Sequence, residues 1–550
     1  MASLTARERT LSQLFTKSYR FRIPYFQRPY AWTEEEAGTL LSDLSTAAAN
    51  APQDMSQASP YFLGSIVIVQ SPGQAEASVV DGQQRLTTAT ILLSVMRDLD
   101  IALLARLQPH ILFSGENSGP LTPRAADVEF FRDHFQKPQG TKALTEADML
   151  ANPAQEKMVA NALHMRHELE MMTPAERKRL ADFILERCIL VEVKTADENG
   201  AYQVFEVMNS RGLDLKETDV LKAELIGAMP SDIQSIYADH WEDLEAALGD
   251  EAFFNLFGHI RMIHRPGKAS KSMIAEVRET MDPVSDPQGF IEKTLLAYGR
   301  VFQELITSNM RMPSRSEDAN RLLRPLNRLT NRDWVAPAIA FFVQTNRNAD
   351  DAIAFLRALE RMAYALFIQS AQPNMRTQRY GDLIKAIRKD ASVAELCDML
   401  EPSHNDKKTC RSVLDGPIYT KEHIRRIVLI RLDERLSDRG MDYDLSSVTV
   451  EHVLPQNPPP NSSWVRLFPD KRRREKLASR LGNLTLLPKR TNNKAGNYDF
   501  ETKKSRYLAK GGVTPFALTS QILLEPVWNE DAITRRQTKL FDLACETWGF

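Results

Sequence analysis

Along the first 230 residues, short apolar runs trade with stretches of helical periodicity, and that mixture predicts an α/β unit. FLGSIVIVQ, Phe62 to Gln70, reads as a strand. SVVDGQQRLTTATILLSVMRDL begins as a second short strand, turns at Asp81-Gly82 and continues from about Thr87 as a helix. CILVEVKT, Cys188 to Thr195, reads as another buried strand, and AYQVFEVMN, Ala201 to Asn209, as a helix stopped by Ser210-Arg211-Gly212. Asp214 and Glu217 then have capping-box spacing for a helix carrying Val220, Leu221 and Leu225 inward. Polar stretches around 50–60 and 114–123 are expected to be surface loops.

From about 231 to 420 the periodicity is mostly helical. DAIAFLRALERMAYALFIQ sets Ile353, Leu356, Leu359, Ala363 and Leu366 on one stripe, which reads as core. VTVEHVLPQ, Val448 to Gln456, then alternates apolar and polar residues as the first strand of a small hairpin would, ending at Pro455. At 550 residues the chain is too long for one ordinary core. These changes of pattern divide it into 1–230, 231–420 and 421–550, the last expected to be α+β.

Composition supports folding throughout: 43% hydrophobic and 26% charged residues supply apolar surface for real cores and argue against disorder. Cys188, Cys397, Cys410 and Cys545 lie too far apart for paired metal ligands or a disulfide framework, so a reducing cytoplasm is expected. The opening MASLTARERT has no apolar signal core, and no stretch approaches the roughly 20 apolar residues of a membrane span; neither secretion nor insertion is expected. A net charge of -2 makes no whole-chain case for a polyanion partner, so any such surface must be local. Residues 451–510 hold fourteen Lys or Arg against five Asp or Glu, which localises it.

That basic segment also carries chemistry, in the order Glu451-His452, Asn483, Asn492. Phosphodiester hydrolysis needs a base to activate water and a divalent metal to stabilise developing charge. A neutral imidazole at His452 can take the proton, and Glu451 with an asparagine carbonyl offers oxygen ligands suited to Mg²⁺. Adjacent strand residues point to opposite faces, so Glu451 and His452 need a local twist to share a phosphate. Taken singly, each reads better as a strand-end histidine or a turn asparagine; their order carries the weight. The run Lys471-Arg472-Arg473-Arg474, by itself a solvated helical face, gains meaning beside them, as do Lys489, Arg490, Lys503, Lys504 and Arg506, since such cations neutralise phosphates without reading sequence.

Two N-terminal groups complete the candidates. FRIPYFQRPYAW gathers Tyr25, Gln27, Arg28, Tyr30 and Trp32, groups that can stack on a base and hold a phosphate, or simply pack a strand and turn. Asp81-Gly82-Gln83-Gln84-Arg85 sits where a strand feeds a helix. It can seat an anion, with Arg85 bidentate, or staple the turn as an internal polar network.

EHVLPQ, GNLTLL and NNKAGNY together resemble the C-terminal HNH domain of the GmrSD family of modification-dependent restriction enzymes, over roughly 425 to 510. The resemblance implies a ββα-metal motif in which His452 is the general base, Glu451 and Asn492 are metal ligands, and Asn483 braces the loop. Asn493 is the alternative to Asn492, and Asn497 a weaker one. The N-terminal motifs, with FEVMNSRGLDLKETDVLK, resemble the family's N-terminal domain, a ParB-like fold, over roughly 10 to 230. That implies a nucleotide pocket of Asp81, Gly82, Gln83, Gln84 and Arg85 with Gln27 and Arg28 nearby. Asn209, Arg211, Asp219 and Lys222 match the third motif, where bracing is the better reading of the last two. Both halves on one chain resemble fused GmrSD and SspE-like proteins. The expectation is antiphage restriction of modified DNA, using Mg or Mn and a nucleoside triphosphate (GTP, ATP, CTP or UTP), in a homo-oligomer or a monomer.

Overall fold

The computed structural model describes residues 4–550 except 25–26, 72, 117, 146–151, 196–216, 231, 345–347, 438–446, 490–495 and 509–513. The chain divides into two compact units, Met1–Glu242 and Asp243–Phe550.

The first unit is built on a six-stranded mixed sheet: β1 Thr5–Thr10, β2 Arg20–Arg22, β3 Tyr61–Val69, β4 Glu76–Asp81, β5 Leu121–Thr122 and β6 Cys188–Thr195, in the order β1-β6-β3-β4-β2-β5. β3 runs parallel to β6 and antiparallel to β4, while β2 is parallel to both β4 and β5. The expected strands at 62–70 and 188–195 are therefore both present, paired side by side. Ile66 and Ile68 of β3, with Val79 of β4, face the main core, where helices Glu34–Asn50, Gln83–Leu99, Pro153–Glu170 and Pro174–Arg187 cover the sheet. Val67, Val80 and Val193, which alternate with them, form a small cluster of their own.

The helix after β4 starts at Gln83, four residues before the expected start at Thr87. The polar residues taken for the turn are its first turn instead. Gly82 makes the sharp entry possible: its φ is +92°, and a Cβ there would lie 2.5 Å from Ile66 Cγ2. The helix proposed for 201–209, and Asp214 of the capping box, lie outside the described residues. The helix Glu217–Gly227 does bury Leu221 and Leu225. The loop expected around 50–60 contains a single 3₁₀ turn, Met55–Gln57, and the loop at 114–123 closes with β5.

In the second unit the described chain from Asp250 to Leu436 is a series of helices, with 3₁₀ and π turns, joined by loops. Helix Ala349–Ile368 buries all five residues of the expected stripe. The hairpin of β7 Val448–His452 and β8 Leu484–Pro488 follows, antiparallel, with Glu451 opposite Thr485 and His452 opposite Leu484. Between the two strands lie the short helix Ser463–Leu467 and the basic helix Lys471–Ala478. Trp464, Phe468 and Leu477 there pack with Val453, Leu454 and Trp528 into a core under the hairpin. Among the described residues no helix is long and apolar enough to cross a membrane.

Candidate functional site

His452 ends β7 and is 8% exposed. Its ring lies 3.8 Å from that of Tyr419, and the Arg425 guanidinium sits over the Tyr419 ring at 3.9 Å. Burial, with the charges of Lys503 and Arg425, pulls the imidazole down to about 3, so it is neutral at physiological pH. Its Nε2 is buried and has no hydrogen-bond partner among the described residues. A buried, unsatisfied ring nitrogen costs about 1–3 kcal/mol and marks a place where a ligand or water can repay the loss.

Glu451, its neighbour, meets different groups, as the alternation of strand faces requires. Lys503 Nζ lies 2.6 Å from Glu451 Oε1 and donates to the His452 carbonyl at 2.7 Å. Burial pushes the Glu451 carboxyl above its ordinary range, and the Lys503 charge opposes that shift. Burial likewise lowers Lys503. Counted in the sequence among exposed phosphate contacts, Lys503 is instead a fully buried partner of the candidate metal ligand.

Asn483 is fully buried and uses both ends of its amide. Oδ1 accepts from Leu454 N at 2.8 Å and Trp528 Nε1 at 3.0 Å; Nδ2 donates to Leu454 O at 2.9 Å and Ala478 O at 3.0 Å. With its capacity filled, Asn483 positions the strand end that carries His452 and has nothing left to offer a substrate. The C-terminal helix Glu530–Trp548 locks the same turn from outside: Arg536 Nη1 donates to Gly482 O and Leu484 O, and Gln537 Oε1 accepts from Gly482 N. Gly482 is required there, because a Cβ would sit 2.4 Å from Ile533 O. Sequence reasoning missed Trp528, Arg536 and Tyr419, whose separations from the motif leave no local signal.

The basic helix is less uniform than its sequence. Lys471, Arg472 and Arg473 are exposed, whereas Arg474 is buried and donates to Phe468 O, bracing the preceding loop. Arg473 pairs with Glu530, and Lys471 reaches Glu475 at 3.9 Å. Lys489, Asn497 and Arg506 are exposed, and Lys504 donates to Glu525 O. Arg490, Asn492 and Asn493 lie outside the described residues. Among the described residues no group of three or more His, Cys, Asp or Glu is arranged to hold a metal.

In the first unit the two sequence motifs prove to be one network. Gln83 Nε2 donates to Gln27 Oε1 at 3.1 Å and to Arg28 O at 2.9 Å, while Gln27 Nε2 donates to Val80 O at 2.8 Å. Gln84 Oε1 accepts from Ala31 N at 2.8 Å, and its Nε2 donates to Pro29 O at 3.1 Å. Tyr30 is buried, its hydroxyl 2.7 Å from Thr88 Oγ1 and 2.9 Å from Asn161 Nδ2, so it cannot stack on a base. Trp32 packs partly buried against the core, and Tyr25 lies outside the described residues. Arg85 donates to Ser65 O at 3.1 Å and lies 3.9 Å from Asp81, whose carboxyl burial pushes upward against the pull of Arg85. Asn209 and Arg211 are outside the described residues. Lys222 Nζ meets Glu242 at 2.5 Å, and Arg124 meets the same carboxylate at 2.6 Å; Asp219 is buried on the same helix as Lys222.

Comparison with known proteins places both groups in one class. Residues 11–226 match the model of the GmrSD restriction endonuclease N-terminal domain, and residues 404–543 that of the GmrSD restriction endonucleases C-terminal domain. The class so defined is the restriction endonuclease, with both terminal domains on a single polypeptide. The chain belongs to the GmrSD family. No curated protein compared with it matches.

Proposed function

We propose that the chain is a metal-dependent DNA endonuclease or nickase of antiphage defence, cutting modified DNA from an HNH-type site under the control of a nucleotide bound to a ParB-like N-terminal domain. The observation that carries this reading is the neutral His452 at the strand end, its Nε2 unpartnered among the described residues, braced by Asn483 and next to Glu451. His452 accepts the proton of the attacking water, and Nε2 is the atom free to do so. Glu451 and Asn492 would hold a Mg or Mn ion, which when bound supplies charge stabilisation at the phosphate. Lys471, Arg472 and Lys489, exposed on the same unit, would neutralise backbone phosphates; Arg474, turned inward, would not.

For the first unit we assign the nucleotide to the turn after β4. Gln27, Gln83 and Gln84 shape the turn, Asp81 holds Arg85 beside it, and Arg28, Arg85, Gly82 and the first amides of the helix Gln83–Leu99 would meet the phosphates. Nucleotide state would bias cleavage through a conformational equilibrium. A second reading, a nucleotide-switched DNA-binding regulator without cleavage, is favoured by one observation: the Glu451 carboxylate already holds an internal cation, Lys503.

The test is a plasmid assay of the full chain with Mg²⁺ or Mn²⁺ on unmodified, glucosylated and phosphorothioate DNA, with and without each nucleoside triphosphate. Nicking or linearisation on a modified substrate is expected, and Arg85→Ala is expected to change its nucleotide dependence. Binding of every substrate with no cut under any condition would leave the regulator as the function.

A further inference from the structure

Tyr419 sits on the 3₁₀ turn Ile418–Thr420, between the helices His404–Asp415 and Glu422–Leu436. Two functional groups share its ring. The His452 ring lies 3.8 Å from it, tilted by 59°, and the Arg425 guanidinium carbon lies 3.9 Å over it in a cation–π contact. Arg425 Nη1 also donates to the Tyr419 carbonyl at 2.6 Å, so ring and backbone together fix the guanidinium. The turn is tied to the basic helix as well, because Tyr419 N donates at 3.1 Å to the carbonyl of Ser479, one residue past Lys471–Ala478. One tyrosine thus holds imidazole, guanidinium and basic helix together.

The charge of Arg425 is poorly matched. Elsewhere in this unit partly buried arginines meet buried carboxylates: Arg431 meets Glu360 at 2.6 Å, and Arg379 meets Asp406 at 2.6 Å, both acids 5% exposed. The Arg425 side chain is 19% exposed, yet the one carboxylate within ion-pair reach of it among the described residues is Glu422, 3.5 Å away and 88% exposed. Such a pair is screened by water and adds little. A guanidinium carries five N–H donors, and Arg425 spends one on Tyr419 O; among the described residues the rest make no hydrogen bond. A half-desolvated cation with free donors therefore stands beside the unpartnered Nε2 of His452. A phosphodiester meets both demands, since its non-bridging oxygens accept from the guanidinium while a water on the imidazole faces phosphorus.

We propose that Arg425 binds the scissile phosphate, and that Tyr419 is the positioning residue that sets guanidinium and imidazole at the separation of a phosphate and its attacking water. This rests on the nuclease reading of His452 given above. In the step, His452 Nε2 takes one proton of the water while the water oxygen bonds to phosphorus. The phosphorus–oxygen bond to the sugar breaks, and its oxygen takes a proton from a second water, whose hydroxide the imidazolium then neutralises. The non-bridging oxygens gain negative charge on the way, and the fork of Arg425 meets that charge where it develops.

Two readouts on the full chain test this. The first, duplex DNA binding without divalent metal, needs no cut. Arg425→Gln is expected to make the slope of log affinity against log salt shallower by about 1, and Arg425→Lys, which keeps the charge, to leave it unchanged. The second is single-turnover cleavage, with Mg²⁺ or Mn²⁺, of a substrate the wild type cuts. Arg425→Gln is expected to lose roughly 10²–10³-fold in rate, and Arg425→Lys to recover about tenfold of that loss. Tyr419→Phe keeps the ring and the wild-type rate, whereas Tyr419→Leu loses about 10²-fold in rate with its salt slope held. Cleavage by Arg425→Gln at the wild-type rate, or an unchanged slope in that variant, overturns the proposal and leaves the nuclease reading intact. A wild type that cuts no substrate overturns the nuclease reading, and with it the scissile assignment, even where the slope still falls.

Discussion

The turn after β4 and the end of β7 are both polar clusters mounted on a strand terminus, yet they spend their hydrogen-bonding capacity differently. Around Gln83 and Gln84 the amides close on one another and on the backbone of residues 28–31, so the cluster is first a staple. Around β7 the scaffolding is delegated to Asn483, Arg536 and Gln537, and among the described residues His452 is left with an unsatisfied nitrogen. A polar motif in a sequence does not distinguish these cases; what remains unpaired after folding does.

The strongest way to break this contrast is Asn483→Ala. It strips four hydrogen bonds at a fully buried position, leaving Leu454, Ala478 and Trp528 groups unmet, and is expected to cost about 3–5 kcal/mol. Urea denaturation followed by tryptophan fluorescence checks this, and a loss under about 1 kcal/mol would mean Asn483 is no brace. Next comes Gly82→Ala, expected to cost about 2–4 kcal/mol through left-handed φ and the clash with Ile66. Faster hydrogen exchange in the helix Gln83–Leu99 is its signature, and unchanged exchange would show that the turn relaxes freely.

A pH series sharpens the difference between units. His259 and His264 are held down to about 4 in the fold and His452 to about 3, against an ordinary value of 6.5. Between those values the unfolded chain binds protons that the folded one does not, so stability of the second unit falls as pH drops from 6.5 towards 4. The expected loss is on the order of 1–3 kcal/mol, read from urea midpoints at pH 7 and pH 5 and reduced in His264→Gln. A flat profile would contradict the burial of these rings. The smallest effect is that of Arg472→Ala, exposed on the basic helix. Stability should hold within about 0.5 kcal/mol, while the slope of log affinity for DNA against log salt should become shallower by about 1. An unchanged slope would remove Arg472 from the DNA surface.

Much of this was legible in the sequence, for physical reasons that also set the limit. Apolar runs predicted β3 and β6 because Ile66, Val67 and Ile68 of β3 and most of β6 are buried, and the stripe in Ala349–Ile368 followed from helical spacing. The start of the helix at Gln83 was misplaced because Gln83, Gln84 and Arg85 look like loop chemistry, although their side chains reach outward from helical backbone to brace residues 27–32 and Ser65. Lys503 was taken for a surface charge because nothing local reports a partner fifty-two residues earlier. The order of Glu451, His452 and Asn483 was readable, whereas the closure of Asn483 on Trp528 depends on packing that spacing does not encode.

The most direct test of the account is cleavage by His452→Gln, which keeps the size and polarity of the side chain and removes the base. With divalent metal and a substrate the wild type cuts, the variant is expected to retain its urea midpoint and lose activity by roughly 10²–10⁴-fold. A folded His452→Gln that cuts at the wild-type rate would contradict the claim that the unpaired imidazole at the end of β7 is the reacting group.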